Sequence, residues 1–154
     1  MGVSINGDNI TVPGQISVQG PPTSIQHAMR KGDVASFRVV TKDVDLNLAA
    51  PADVAAITMP SSKYIPKRLV AANPSANVSA ATVSLRTASG GGGTELLAPT
   101  ALAALTGSGK VQAIAITTPT DQVVAAILYL RLTVAAGVAG NCDFMLESDD
   151  LADL

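Results

Sequence analysis

Aromatic side chains make up 3% of this 154-residue chain, and tryptophan is absent. The four that occur, Phe37, Tyr64, Tyr129 and Phe144, are too few for a base-stacking platform. One cysteine, Cys142, excludes an intrachain disulfide, so the fold must rest on packing, as in a reducing compartment. One histidine, His27, is the only imidazole available as a base. It stands beside Met29-Arg30-Lys31, and no G-x-S-x-G nucleophile elbow occurs, so it reads as a solvated or interface residue. Charged residues are also scarce, 14% where roughly 25% is usual. That is too little to coat a monomer, and part of the surface is expected to face another protein.

Long apolar runs are missing as well. The longest, Val123 to Leu130, is far short of the ~20 residues of a membrane helix and reads as a buried strand. The opening MGVSINGDNI lacks a cationic segment followed by an apolar one, so no secretory leader is expected. Asn6 stands where N-myristoylation would need Ser or Thr. Without a secretory route the sequons at Asn9 and Asn77 read as chance matches.

Neither glycine-rich nucleotide template fits. Gly109-Lys110 is followed by Val111, and a dinucleotide fingerprint begun at Gly90 meets Glu95 where glycine is required. The run Gly90 to Gly93 reads as a mobile surface loop. Lys63, Lys67 and Arg68 are the densest basic group, which makes no stripe for a phosphate backbone; they read as an edge-strand guard or a protein contact. Glu147, Asp149, Asp150 and Asp153 gather at the end without EF-hand spacing, as a solvated tail. Without them, ten basic residues face eight acidic ones, a weakly positive body with an acidic end. No catalytic residue, cofactor, metal, nucleic acid, membrane or small-molecule substrate is expected. Cys142 alternates with Asp143 and reads as a buried structural thiol.

What is present is aliphatic and patterned for strands. Ile10-Thr-Val12-Pro-Gly14-Gln and Ile16-Ser-Val18-Gln-Gly20-Pro form a six-residue repeat, I-x-V-x-G-x, and Val3 and Ile5 precede it as one more short strand. Two copies are too few to bury a core of their own. Residues 1–33 therefore read as an extended arm completed on other chains, with a small meander packed on its own domain as the alternative. Its partner-binding residues would be Val3, Ile5, Ile10, Val12, Ile16 and Val18, joined by Lys63, Lys67 and Arg68. A single helical turn is expected over Ile25 to Gly32.

Strands are predicted over 34–41, 44–48, 54–59, 63–72, 78–87, 110–118, 122–135 and 141–147. The one at 63–72 reads as an edge strand interrupted by Pro66. A two-turn helix is predicted at Pro99 to Leu105, between a Pro/Thr start and the Gly107-Ser108-Gly109 stop. Val83 and Leu85 should face inward, with Ser84 and Arg86 outward. Val124, Ala126, Leu128, Leu130, Leu132 and Val134 form one wholly apolar strand face. Short strands split by Gly, Pro and Asn turns predict an all-β fold. The expectation is an antiparallel jelly-roll-like β-sandwich over 34–147 with one short helix, the arm at 1–33 and an acidic tail at 148–154.

Three segments carry a resemblance: Tyr64-Ile65-Pro66-Lys67-Arg68-Leu69, Leu85-Arg86-Thr87-Ala88-Ser89 running into Gly90 to Gly93, and Leu128-Tyr129-Leu130-Arg131-Leu132. With the extended arm and acidic end, they make the chain resemble the capsid decoration, or cement, proteins of tailed bacteriophages. The resemblance implies a non-enzymatic homotrimer on the outer surface of the phage head, assembled in the host cytoplasm and bridging major capsid protein subunits. Head-fibre, spike-base and tail-adaptor proteins share this composition, and a glycan-binding jelly roll is a third reading.

Overall fold

The computed structural model describes residues 4–6, 9–11, 35–117 and 121–152. The chain divides into two units, Met1–Asp33 and Val34–Leu154. In the first, β1 (Ser4–Asn6) and β2 (Asn9–Thr11) make an antiparallel hairpin with Ile5 opposite Ile10. Val3, Val12, Ile16, Val18 and the turn expected over 25–32 lie outside the described residues.

The second unit is all-β. Its strands are β3 (Ala35–Asp45), β4 (Ala52–Thr58), β5 (Tyr64–Ala72), β6 (Thr82–Arg86), β7 (Glu95–Ala101), β8 (Val111–Ala115), β9 (Ile127–Val134) and β10 (Asn141–Asp150). They form two antiparallel four-stranded sheets, ordered β3-β10-β5-β8 and β4-β9-β6-β7. The pairing is nested: β3 with β10, β4 with β9, β5 with β8 and β6 with β7. The chain thus resembles one long ribbon doubled on itself, closed by β10 on β5 and β9 on β6.

Alternation along the strands builds a single core between the sheets. Leu69, Phe144 and Leu146 enter it from one sheet, and Leu85, Leu128, Leu130 and Leu132 from the other. Tyr64 is fully buried and satisfies its hydroxyl by donating to the Ala125 carbonyl at 2.7 Å. Burial pushes its pKa up to about 12. Its ring meets Phe37 edge-on, with centroids 6.0 Å apart. Cys142 is buried as expected, and desolvation pushes its thiol up to about 11.

Bulges explain where the alternation changes phase. Along β3, Phe37, Val39 and Thr41 lean inward, but beyond the bulge it is Val44 that is buried, because Lys42 and Asp43 both point out. Asp43 takes a positive φ of 54° there. Leu46 continues the inward set, whereas Leu48, past the strand's end, is 43% exposed. In β5, Tyr64 and Pro66 face in before the bulge and Leu69 and Ala71 after it, so consecutive Lys67 and Arg68 both face out.

Four expectations need correction. The segment at 63–72 is not an edge strand: β5 lies between β10 and β8, and Pro66 is accommodated beside the bulge, beyond the β8 ladder. The helix at Pro99 to Leu105 does not form. Residues up to Ala101 belong to β7, and Leu102 and Leu105 are fully buried in the turn that follows. Their backbone is claimed elsewhere: Leu102 N–H donates to Ala81 O at 2.9 Å, and Leu105 O accepts from Val78 N–H at 3.0 Å. The apolar face of 124–134 is buried only at Leu128, Leu130 and Leu132. Before Ile127 the chain is irregular, Val123 turns inward to bridge Tyr64, and Val124 is left 66% exposed. Last, residues 148–150 are not tail, because β10 remains paired with both neighbours through Asp150.

Candidate functional site

The outward positions of the β3-β10-β5-β8 sheet gather the residues that the sequence singled out and supply partners it had not suggested. Arg38, Glu147 and Arg68 share one cross-strand row on β3, β10 and β5. Glu147 is ion-paired on both sides, with Arg38 Nε at 2.7 Å from Oε1 and Arg68 Nε on Oε2. Arg68, as hydrogen-bond partner, is the main reason the Glu147 carboxyl sits below the usual carboxylate range; the same bond raises the Arg68 pKa. The bulge that turns Lys67 outward brings its Nζ within 2.9 Å of Asp149 Oδ2. Lys63 is half-buried before β5, where its carbonyl accepts from Ser61 Oγ at 2.8 Å and Leu151 N–H at 2.9 Å.

Lys63, Lys67 and Arg68 are therefore no edge guard. Lys67 and Arg68 neutralise acids expected in a free tail, so the described acids do not stand apart as an acidic end. Asp150 accepts from Ser61 Oγ at 2.6 Å, which lowers its pKa. Asp143 accepts from Asn73 Nδ2 at 2.8 Å and from Asp43 N–H at 3.0 Å, lowering its pKa likewise. Asp153 lies outside the described residues. Among the described residues no group of three His, Cys, Asp or Glu is placed to hold a metal ion. No helix among them is long and apolar enough to cross a membrane.

Next to the charged row lies an uncharged one, Val40, Met145, Val70 and Ala113, in register across the four strands. Val40 is 52% exposed. A hollow of about 280 Å³ opens here, lined by Val40, Val70, Ala72 and Met145 and by the polar Lys42, Asn73 and Asp143.

The opposite sheet has a different outer face. Arg131 Nη1 pairs with Asp53 Oδ1 at 2.9 Å, and the other oxygen of Asp53 accepts from Gly90 N–H at 2.6 Å. The four-glycine segment is thereby anchored: Ser89–Gly91 forms a 3-10 turn, with Gly90 and Gly91 at φ of 67° and 82°. Gly93 is at φ 67°, and a Cβ there would come within 2.8 Å of Ala88 N. Arg86 pairs with Glu95 farther along this face. Ser84, expected outward, is fully buried between β9 and β7, and its Oγ has no hydrogen-bond partner among the described residues.

Sequence reasoning identified Lys67 and Arg68 but missed Arg38, Glu147 and Asp149 as their neighbours, which only the β3-β10-β5 pairing brings together. A bulge signal was present in Pro66 followed by two bases. No described protein family, curated protein or solved structure matches this chain.

Proposed function

We propose that the chain is a structural virion protein of a tailed bacteriophage, a homotrimeric decoration protein that binds the outer surface of the head and braces contacts between major capsid protein subunits. The carrying observation is apolar surface left outside a complete core: Val40, Val111, Val124 and Val134 are each more than half exposed on a chain poor in charge. Nested strand order supports reading the sandwich as a jelly roll, an architecture common in viral capsid domains. Taken in chain order from β3 to β10, one sheet runs first, eighth, third, sixth and the other second, seventh, fourth, fifth.

In this reading residues 1–33 act as the arm. Val3, Ile5, Ile10, Val12, Ile16 and Val18 supply alternating apolar side chains for strand addition to neighbouring chains. Binding is by burial of apolar surface, and no chemical step is involved. Deleting residues 1–20 should leave a folded sandwich, with an unchanged melting temperature for that unit, that no longer occupies empty capsids. Unchanged occupancy would refute the arm's role. Copy number in purified virions separates decoration, at hundreds of copies, from a head-fibre or tail adaptor, at about a dozen or fewer, by the stoichiometry expected of a closed ring.

A further inference from the structure

The outer face of the β3-β10-β5-β8 sheet is complementary to itself. Its two central strands carry opposite charge: Asp143, Glu147 and Asp149 project from β10, Lys67 and Arg68 from β5. Imagine a two-fold axis lying along the strands, above the seam between β10 and β5. Rotation about it keeps every cross-strand row at its own level and exchanges β10 with β5 and β3 with β8.

Glu147 of one copy then faces Arg68 of the other, because the pair already shares a level in the register, and Lys67, the unpaired residue of the β5 bulge, projects toward the neighbouring level of Asp149. In the uncharged row Met145 faces Val70, and the larger Val40 faces the smaller Ala113. The hollow of about 280 Å³ beside Met145 gives its flexible thioether room to seat. Arg38 lies over Ala115 and meets no like charge at its own level. The match in sign and size holds in two adjacent rows, Glu147 with Arg68 and Met145 with Val70, whereas an unrelated partner would have to reproduce it by coincidence.

We propose that this face is a homotypic interface, through which two copies of the chain pack sheet against sheet about a two-fold axis parallel to the strands. This goes beyond the capsid reading and does not depend on it. Four strands at ~4.8 Å spacing make a narrow footprint, so the contact is weak in dilute solution and strengthens where copies are held close together.

The test is sedimentation equilibrium of the full chain and its variants. Wild type should self-associate with rising concentration, and Val40→Asp should weaken this at least about tenfold by placing a charge in the apolar row. Arg68→Glu and Glu147→Arg should each block self-association, since the acidic face repels itself and so does the basic one. Mixed in equal amounts, these two variants should associate again, with both central charge pairs restored in one heterologous pair. Melting temperatures within a few degrees of wild type certify that each variant is folded, and Val40→Asp serves if Glu147→Arg is not. The proposal is overturned if wild type shows no association at about 1 mM, weaker than which a contact has little standing. It is equally overturned if the mixture fails to associate, or if the variants lose capsid binding while wild-type-like self-association persists, which would assign the face to a capsid subunit.

Discussion

The outer faces of the two sheets arrange their charges in different orders. On β4-β9-β6-β7 the acids lie on edge strands and the bases on central ones, in two separate rows, Asp53 with Arg131 and Arg86 with Glu95. Each base is satisfied by its own neighbour, Arg131 by Asp53 and Arg86 by Glu95. Turned onto a second copy in the same way, that face would set Arg131 against Ser84 and Arg86 against Tyr129, so neither base would meet an acid. On β3-β10-β5-β8 the central strands are acidic and basic in turn, and an uncharged row lies beside them. Pairing charges within a chain therefore does not decide whether a face is complementary to a copy of itself. Their order across the sheet does.

The inner faces of the two sheets, by contrast, share one core. Leu130 and Leu146, both fully buried, lie under the two different sheets. Replacing either with Ala should destabilise the domain by roughly 3 kcal/mol, read by chemical denaturation. Equal losses would show that the two sheets differ only on their outer faces; a much smaller loss at one site would show that its sheet is less tightly packed from within.

Next in size is the glycine segment that belongs to one face alone. Gly93→Ala combines a left-handed φ with a clash against the Ala88 backbone, and should cost about 2–3 kcal/mol in thermal or chemical unfolding. Gly109 also has a positive φ, 74°, but open space around it, so Gly109→Ala should cost only about 1 kcal/mol. Arg131→Ala, which leaves Asp53 with Gly90 N–H as its partner among the described residues, should cost about 2 kcal/mol. A neutral result at Arg131 would mean that the pair adds nothing to the stability of this face.

How much of this was legible beforehand follows from the range of each interaction. Alternation is local, so strands, the inward Val83 and Leu85, and buried Cys142 could be read directly. The helix at Pro99 to Leu105 failed because its local signals were sound but its two leucines had a better use, filling the core beneath Val78 and Ala81. Bulges defeated the reading of Lys67 and Arg68 in a second way. An extra residue reverses the phase of a strand, and nothing within the strand says which partner will absorb it. Arg38, Lys67 and Arg68 meet Glu147 and Asp149 only after the doubled ribbon closes, and a separation of 79 residues between Arg68 and Glu147 leaves no pattern in the sequence.

The smallest expected effect is also the one that separates the faces by chemistry. Asp143, Glu147 and Asp150 all lie on β10, and each carboxyl is held below its usual range by hydrogen bonds to its charged form: Asn73 for Asp143, Arg68 for Glu147 and Ser61 for Asp150. A carboxyl whose pKa is lower folded than unfolded adds stability above its unfolded value of about 4, and that stability is lost as pH falls through the folded value. The melting temperature should thus be flat from neutrality to about pH 5 and decline below about pH 4, where these groups take up protons. Glu147→Gln should melt slightly lower than wild type at neutral pH and lose less on acidification, because one of the three protonations has been removed. Self-association through this face should weaken over the same acid range, since protonated Glu147 no longer attracts Arg68 of a facing copy. If the variant and wild type instead decline in parallel, Glu147 contributes nothing to the acid response, and the charge order on β10 loses its energetic meaning.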